Sequence, residues 1–214
     1  MAGTTNDNLA VKGKLQVGAR HAPATDRPLV VAAGVVSGAI AVALAAQVRI
    51  PIQGSTVPFT LQTCAVLMCG YCLRPRPAMC AVALYLLVGL ASSAMFATAT
   101  GLWGHTGGYL FGFLLAAPVV SIVAGGVRGS LVRQILAGVM GMGIIFGMGV
   151  SWKAIVSGLG IGAALSDGLV PFLLPAGVKL ALAVSAARLM GLAASSSKRG
   201  WFGPAGGSGY DSPD

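Results

Sequence analysis

PAMCAVALYLLVGLASSAMFATATGLWGHTGGYLFGFLLAAPVVSIVAGGV, residues 77–127, runs for 51 residues without an Asp, Glu, Lys or Arg. Soluble domains carry about a quarter of their residues charged, so no water-facing surface can be built from such a stretch. It suffices for two membrane crossings, since each needs about 20 predominantly apolar residues. The rest of the 214-residue chain has the same character: 56% is apolar, 9% is charged, Glu is absent, and no acidic residue occurs between Asp26 and Asp167. The fold class is an all-α integral membrane protein.

Working outward, residues 29–48 are twenty uncharged positions and form the first span. The next uncharged run, 50–73, is broken at its start by Pro51, Gly54 and Pro58, which predicts an irregular entry and a second helix over 59–73. Further helices are expected over 77–91, 107–127, 131–150 and 170–194, with a short interfacial helix within 152–166 and a loop over 91–106. Six transmembrane helices satisfy the positive-inside rule. With the N-terminus in the cytoplasm, Lys12, Lys14, Arg20, Arg27, Arg74, Arg76, Arg128, Arg133, Arg188, Lys198 and Arg199 are cytoplasmic. Only Arg49 and Lys153 lie outside, and Lys179 falls inside a helix. The chain divides into a basic, disordered cytoplasmic tail (1–28), a six-helix domain (29–194) and a flexible C-terminal tail (195–214), with both termini cytoplasmic in a cell membrane. No apolar core precedes Leu29, so the N-terminal tail does not read as a secretory signal.

The net charge of +9 is spread singly or in pairs between apolar runs. It forms no basic stripe with interleaved aromatics, and no nucleic-acid partner is expected. The cysteines at 64, 69, 72 and 80 lie in or beside apolar runs and read as small packing residues. One CxxC without histidines nearby has too few ligands for zinc. There is no phosphate-binding loop, no HExxH and no GxSxG. No enzyme activity, metal or cofactor is expected, and transport would draw its energy from another subunit.

Lys179 is the first candidate site residue. An ammonium at hydrocarbon depth marks function by default, and no predicted span offers it an acidic partner, so a ligand carboxylate or carbonyl could. In HTGGYLFGF (105–113), Gly107 and Gly108 open a helix whose free N–H groups favour a negative ligand group. Thr106 is placed to cap that helix, and Tyr109 offers a ring with a polar tip; close packing explains the same string equally well. Gln62 at the outer end of the second helix requires a partner, either a ligand or another helix. Tyr85 and Phe96 could add aromatic wall. On the first helix Gly34 with Gly38 and Ala41 with Ala45, at spacing four, form a face suited to close helix approach, inside the protein or to a partner.

VPFTLQTCAVLMCG (57–70), ALYLLVGLASSAMFA (83–97), GLWGHTGGYLFGFLLAA (101–117) and PFLLPAGVKLALA (171–183) together resemble the BioY family. These are the biotin-specific substrate-binding (S) components of energy-coupling factor (ECF) transporters. The resemblance covers about residues 29–190 in the family's order. It implies a six-helix fold with a pocket near the outer surface, and capture of biotin, a bicyclic ureido ring with a carboxylate tail. It implies a membrane T subunit docking on the small-residue face of the first helix, and two ATPase subunits that alone use ATP. The implied pocket residues are Lys179, Gln62, Thr106, Gly107, Gly108 and Tyr109, with Tyr85 and Phe96 behind them. The chain departs from the family at His105, where Pro is usual, and at Ala176, where an acidic residue usually precedes the late lysine by three positions. The alternative is a solitary transporter or facilitator of another small carboxylate or vitamin. An intramembrane enzyme is a further rival.

Overall fold

The computed structural model describes residues 28–51, 57–92, 95–96, 98, 101–158 and 160–200. Both tails outside these limits, most of the irregular entry after Pro51 and parts of the 91–106 loop lie outside the described residues. Seven α-helices occur among the described residues: α1 Pro28–Gln47, α2 Gln62–Cys72, α3 Pro75–Ala91, α4 Gly107–Ala124, α5 Leu131–Ser157, α6 Ile161–Gly168 and α7 Leu173–Gly200. Two-residue strands, β1 (Arg49–Ile50) and β2 (Phe59–Thr60), pair antiparallel between α1 and α2. Short 3-10 turns cover Gly101–Trp103 and Val170–Phe172. The opening turns of α1 through Ala33 belong to one compact unit and residues from Gly34 to another; the packing below is that of the second.

Four helical stretches are long and apolar enough to cross a membrane: Pro28–Gln47, Gly107–Ala124, Leu131–Ser157 and Ile161–Ala193. Large apolar side chains such as Ile40, Leu44, Leu87, Ile122, Leu174 and Leu182 point outward. With 51 consecutive uncharged residues behind them, this exterior fits hydrocarbon as solvent. The chain is a multi-pass, all-α membrane protein.

The boundaries differ from the expected ones in places. The second helix starts at Gln62 rather than near 59, because Phe59 and Thr60 pair as β2 with β1. The fifth helix runs to Ser157 instead of ending near 150, and stops where Gly158 adopts φ +62°, the left-handed conformation that ends helices at low cost in glycine. Residues 152–157 therefore belong to a long helix, and Lys153 is buried inside it rather than placed in a loop. The last helix begins at Leu173 and continues to Gly200, past the expected tail boundary at 194.

Helices α4 and α5 approach one another closely. Their glycines put backbone against neighbours: a Cβ on Gly112 would stand 2.8 Å from Cα of Ile145, and one on Gly108 would stand 2.5 Å from the Met148 carbonyl oxygen. With buried Ala116 they form a small-residue seam at spacing four. Between helices in lipid, packing replaces the hydrophobic effect as the attractive force. Gly112→Leu is therefore expected to lower stability by about 1–3 kcal/mol, read as a reduced melting temperature of the detergent-solubilised protein. An unchanged temperature would mean that the seam tolerates separation.

Candidate functional site

At one end of the bundle β2, α2, α4, α5, the second 3-10 turn and α7 surround a small pocket of about 50 Å³. Its wall is mostly apolar: Val57, Pro58, Leu110, Phe113, Ile145, Phe146 and Phe172. Thr60, Gln62, Thr63, Thr106, Tyr109 and Lys179 supply the polar atoms. A few convergent polar groups in an apolar cavity are the usual composition of a small-molecule site.

Lys179 is the seventh residue of α7, about 9 Å from the helix start at 1.5 Å per residue. This is shallower than an onset at 170 would make it, yet the side chain is only 6% exposed. Its Nζ lies 4.1 Å from the centroid of the Phe59 ring, a cation–π contact. Among the described residues no carboxylate lies within ion-pair distance of it. Phe59 stands beneath the ammonium because β2 holds it next to the start of α2.

The other polar groups are ordered by one another. Thr60 Oγ1 donates to Gln62 Oε1 at 3.1 Å, and Gln62 Nε2 donates to the Tyr85 hydroxyl at 2.7 Å. The Tyr85 hydroxyl in turn donates to the Met95 carbonyl at 3.3 Å. The hydroxyls of Thr98 and Thr106 meet at 3.0 Å, and Tyr109 donates to the Gly168 carbonyl at 2.8 Å. These bonds fix which lone pairs and protons face the cavity, a form of preorganisation.

Lys179, Gln62, Thr106 and Tyr109 thus come together on one cavity. Tyr85 and Phe96 stand one layer behind it, with Tyr85 bonded to Gln62 and Phe96 edge-on to Tyr85 at 5.7 Å. Gly107 and Gly108 are not among the lining residues. A Cβ on Gly107 would strike the Leu102 carbonyl, and one on Gly108 would strike Trp152, so these glycines act in packing. On α1, Gly34 and Gly38 face inward: a Cβ there would reach Leu73 at 2.9 Å, and Ala81 at 3.0 Å with Cys69 Sγ at 3.1 Å. Both glycines are half-buried. Ala41 is exposed and Ala45 half-buried.

Sequence reasoning missed the apolar wall, because Ile145 or Phe172 cannot be told from a lipid-facing residue by type. It also missed the ion pair of Lys153 with Asp167 beside Tyr109. The isolated acid among uncharged spans was the available signal.

A partly open cavity lined by one cation in a multi-pass bundle defines the class, a membrane-embedded small-molecule-binding protein. The fold agrees with a solved structure, the S-component for biotin from an ECF-type ABC transporter, at a TM-score of 0.69 and 18% identity, covering 79% of this chain and 94% of that one. Residues 19–195 match the BioY family, and the chain belongs to it. The biotin transporter BioY of Thermotoga maritima is 39% identical over 113 residues, 51% of this chain and 65% of that protein. The probable biotin transporter BioY of Pyrococcus horikoshii is 33% identical over 144 residues, 67% of this chain and 86% of that protein.

Because Gly108 packs on Trp152, Gly108→Ala is expected to lower the melting temperature and shift tryptophan fluorescence, with ligand selectivity unchanged. Altered selectivity at full stability would return Gly108 to the pocket.

Proposed function

We propose that this chain is the membrane-embedded biotin-binding component of an ECF-type transporter, with Lys179 as the counter-ion of the biotin carboxylate. The observation that carries this reading is the buried Lys179 ammonium at the cavity, resting on an aromatic ring with no carboxylate of the described residues paired to it. A charge withdrawn from water needs compensation, and a carboxylate supplies more than a ring can. The apolar wall suits the bicyclic ring, and the hydroxyl and amide groups of Thr60, Gln62, Thr63 and Thr106 suit its ureido edge.

The same reading completes the topology. Four stretches are long enough to span; α2, lengthened by β2, and α3 supply two shorter crossings, giving six. The loop charges then divide eleven cytoplasmic to one outside, since Lys153 is paired within the helices, and both termini are cytoplasmic. The pocket opens outward, where biotin arrives. A T subunit docks on the exposed small residues Ser37 and Ala41 of α1, and two ATPase subunits drive release.

Purified protein is expected to bind labelled biotin saturably. Losing a charge-assisted bond is worth about 1.5–3 kcal/mol, so Lys179→Ala should weaken binding about ten- to a hundredfold while the fold survives. Equal affinity in the variant would make Lys179 a bystander. Ala41→Leu should leave biotin binding intact and reduce co-purification of the T subunit; undiminished co-purification would move docking elsewhere.

A further inference from the structure

Helix α6 lies beside the pocket with little to hold it. Of its eight residues, only Ala164 and Gly168 are buried, so its share of the core is a methyl group and a hydrogen. Between helices in lipid the attraction is packing, and two small buried residues supply little of it. Lys153 supplies another attachment. It projects from α5, is 1% exposed, and donates through Nζ to Oδ2 of Asp167 on α6. A Cβ on Gly168 would lie 3.5 Å from Lys153 Cδ and 2.5 Å from the Tyr109 hydroxyl. The lysine stem, the Gly168 backbone and the tyrosine tip are therefore stacked in contact.

Two parts of the pocket wall depend on that stack. Tyr109 donates its hydroxyl to the Gly168 carbonyl at 2.8 Å, the residue next to Asp167. Phe172 follows in the 3-10 turn Val170–Phe172, continuous with α6 through Leu169. Phe146 meets both rings, with centroids 6.3 Å from Tyr109 and 6.5 Å from Phe172. All three rings line the cavity, whereas Lys153 and Asp167 do not.

We propose that Lys153 and Asp167 are positioning residues for the ligand pocket: their ion pair seats α6, and through Gly168 and the turn after it sets Tyr109 and Phe172 in the pocket wall. The role of the wall in biotin binding rests on the function proposed above, but the seating of Tyr109 does not.

The test uses the full chain in lipid nanodiscs, labelled with 3-fluorotyrosine. Of its four tyrosines, the Tyr109 fluorine resonance is assigned by its loss in Tyr109→Phe. Asp167→Asn and Lys153→Met are each expected to shift or split that resonance and to weaken biotin binding about tenfold. The double variant Asp167→Asn, Tyr109→Phe should lose less than the sum of the two single losses, because Asp167 acts on Tyr109 through the Gly168 carbonyl that the tyrosine bonds; additive losses would overturn the proposal. A Tyr109 resonance unmoved in folded Asp167→Asn and Lys153→Met proteins would also overturn it. If neither variant folds, Asp167→Glu decides, since it keeps the charge but displaces it by one methylene: a moved resonance supports the role and an unmoved one removes it. If the unmodified chain binds no biotin yet the resonance moves in the variants, the positioning stands and the biotin reading alone fails.

Discussion

An ammonium held out of water carries a cost of several kcal/mol that its surroundings must offset. In this protein that constraint falls on Lys179, seven residues into α7 and 6% exposed. The Phe59 ring beneath it offsets part of the cost, and a cation–π contact is worth about 2 kcal/mol or more when desolvated. The surrounding elements serve to keep that ammonium at a cavity rather than against another protein charge. The strand pair β1–β2 holds Phe59, and α2 begins three residues later with Gln62 on the same cavity. A carboxylate entering the pocket meets a cation whose desolvation has already occurred in folding, which is the physical sense of a preorganised site.

The second constraint is lipid. Hydrocarbon outside the bundle is as apolar as the side chains inside, so helices associate by fit. The seam of Gly108, Gly112 and Ala116 brings α4 onto α5 at backbone distance. Tyr109 lies in that seam, its ring against Gly149 and its hydroxyl on Gly168. Glycines that resembled ligand contacts on paper thus set the distance between two helices, and that distance defines the cavity.

Charge placement sets the character of the cavity. Ala176, three positions before Lys179, is buried among core residues such as Leu67 and Val184 and is absent from the pocket wall. Among the described residues the acidic one is Asp167, and it is engaged by Lys153. The cavity therefore presents a cation to the ligand with no acid among its lining residues.

Composition alone settled that the chain lives in a membrane, because 51 uncharged residues leave no surface for water. It also singled out Lys179, since a charge among apolar residues is visible in one dimension, and the motif strings pointed to the family. The sequence could not say which neighbours a small residue has. Gly34 and Gly38 look no different from Ala41 and Ala45 along the chain, yet a side chain on either glycine would point at Leu73, Cys69 or Ala81, whereas Ala41 is exposed. It could not separate wall from exterior either, because Phe172 inside and Leu174 outside are equally apolar. Nor did it join Lys153 to Asp167, fourteen positions apart across a helix break. Solvent preference is a property of each residue and can be read along the chain; adjacency arises only when helices pack, and tertiary structure alone decides it.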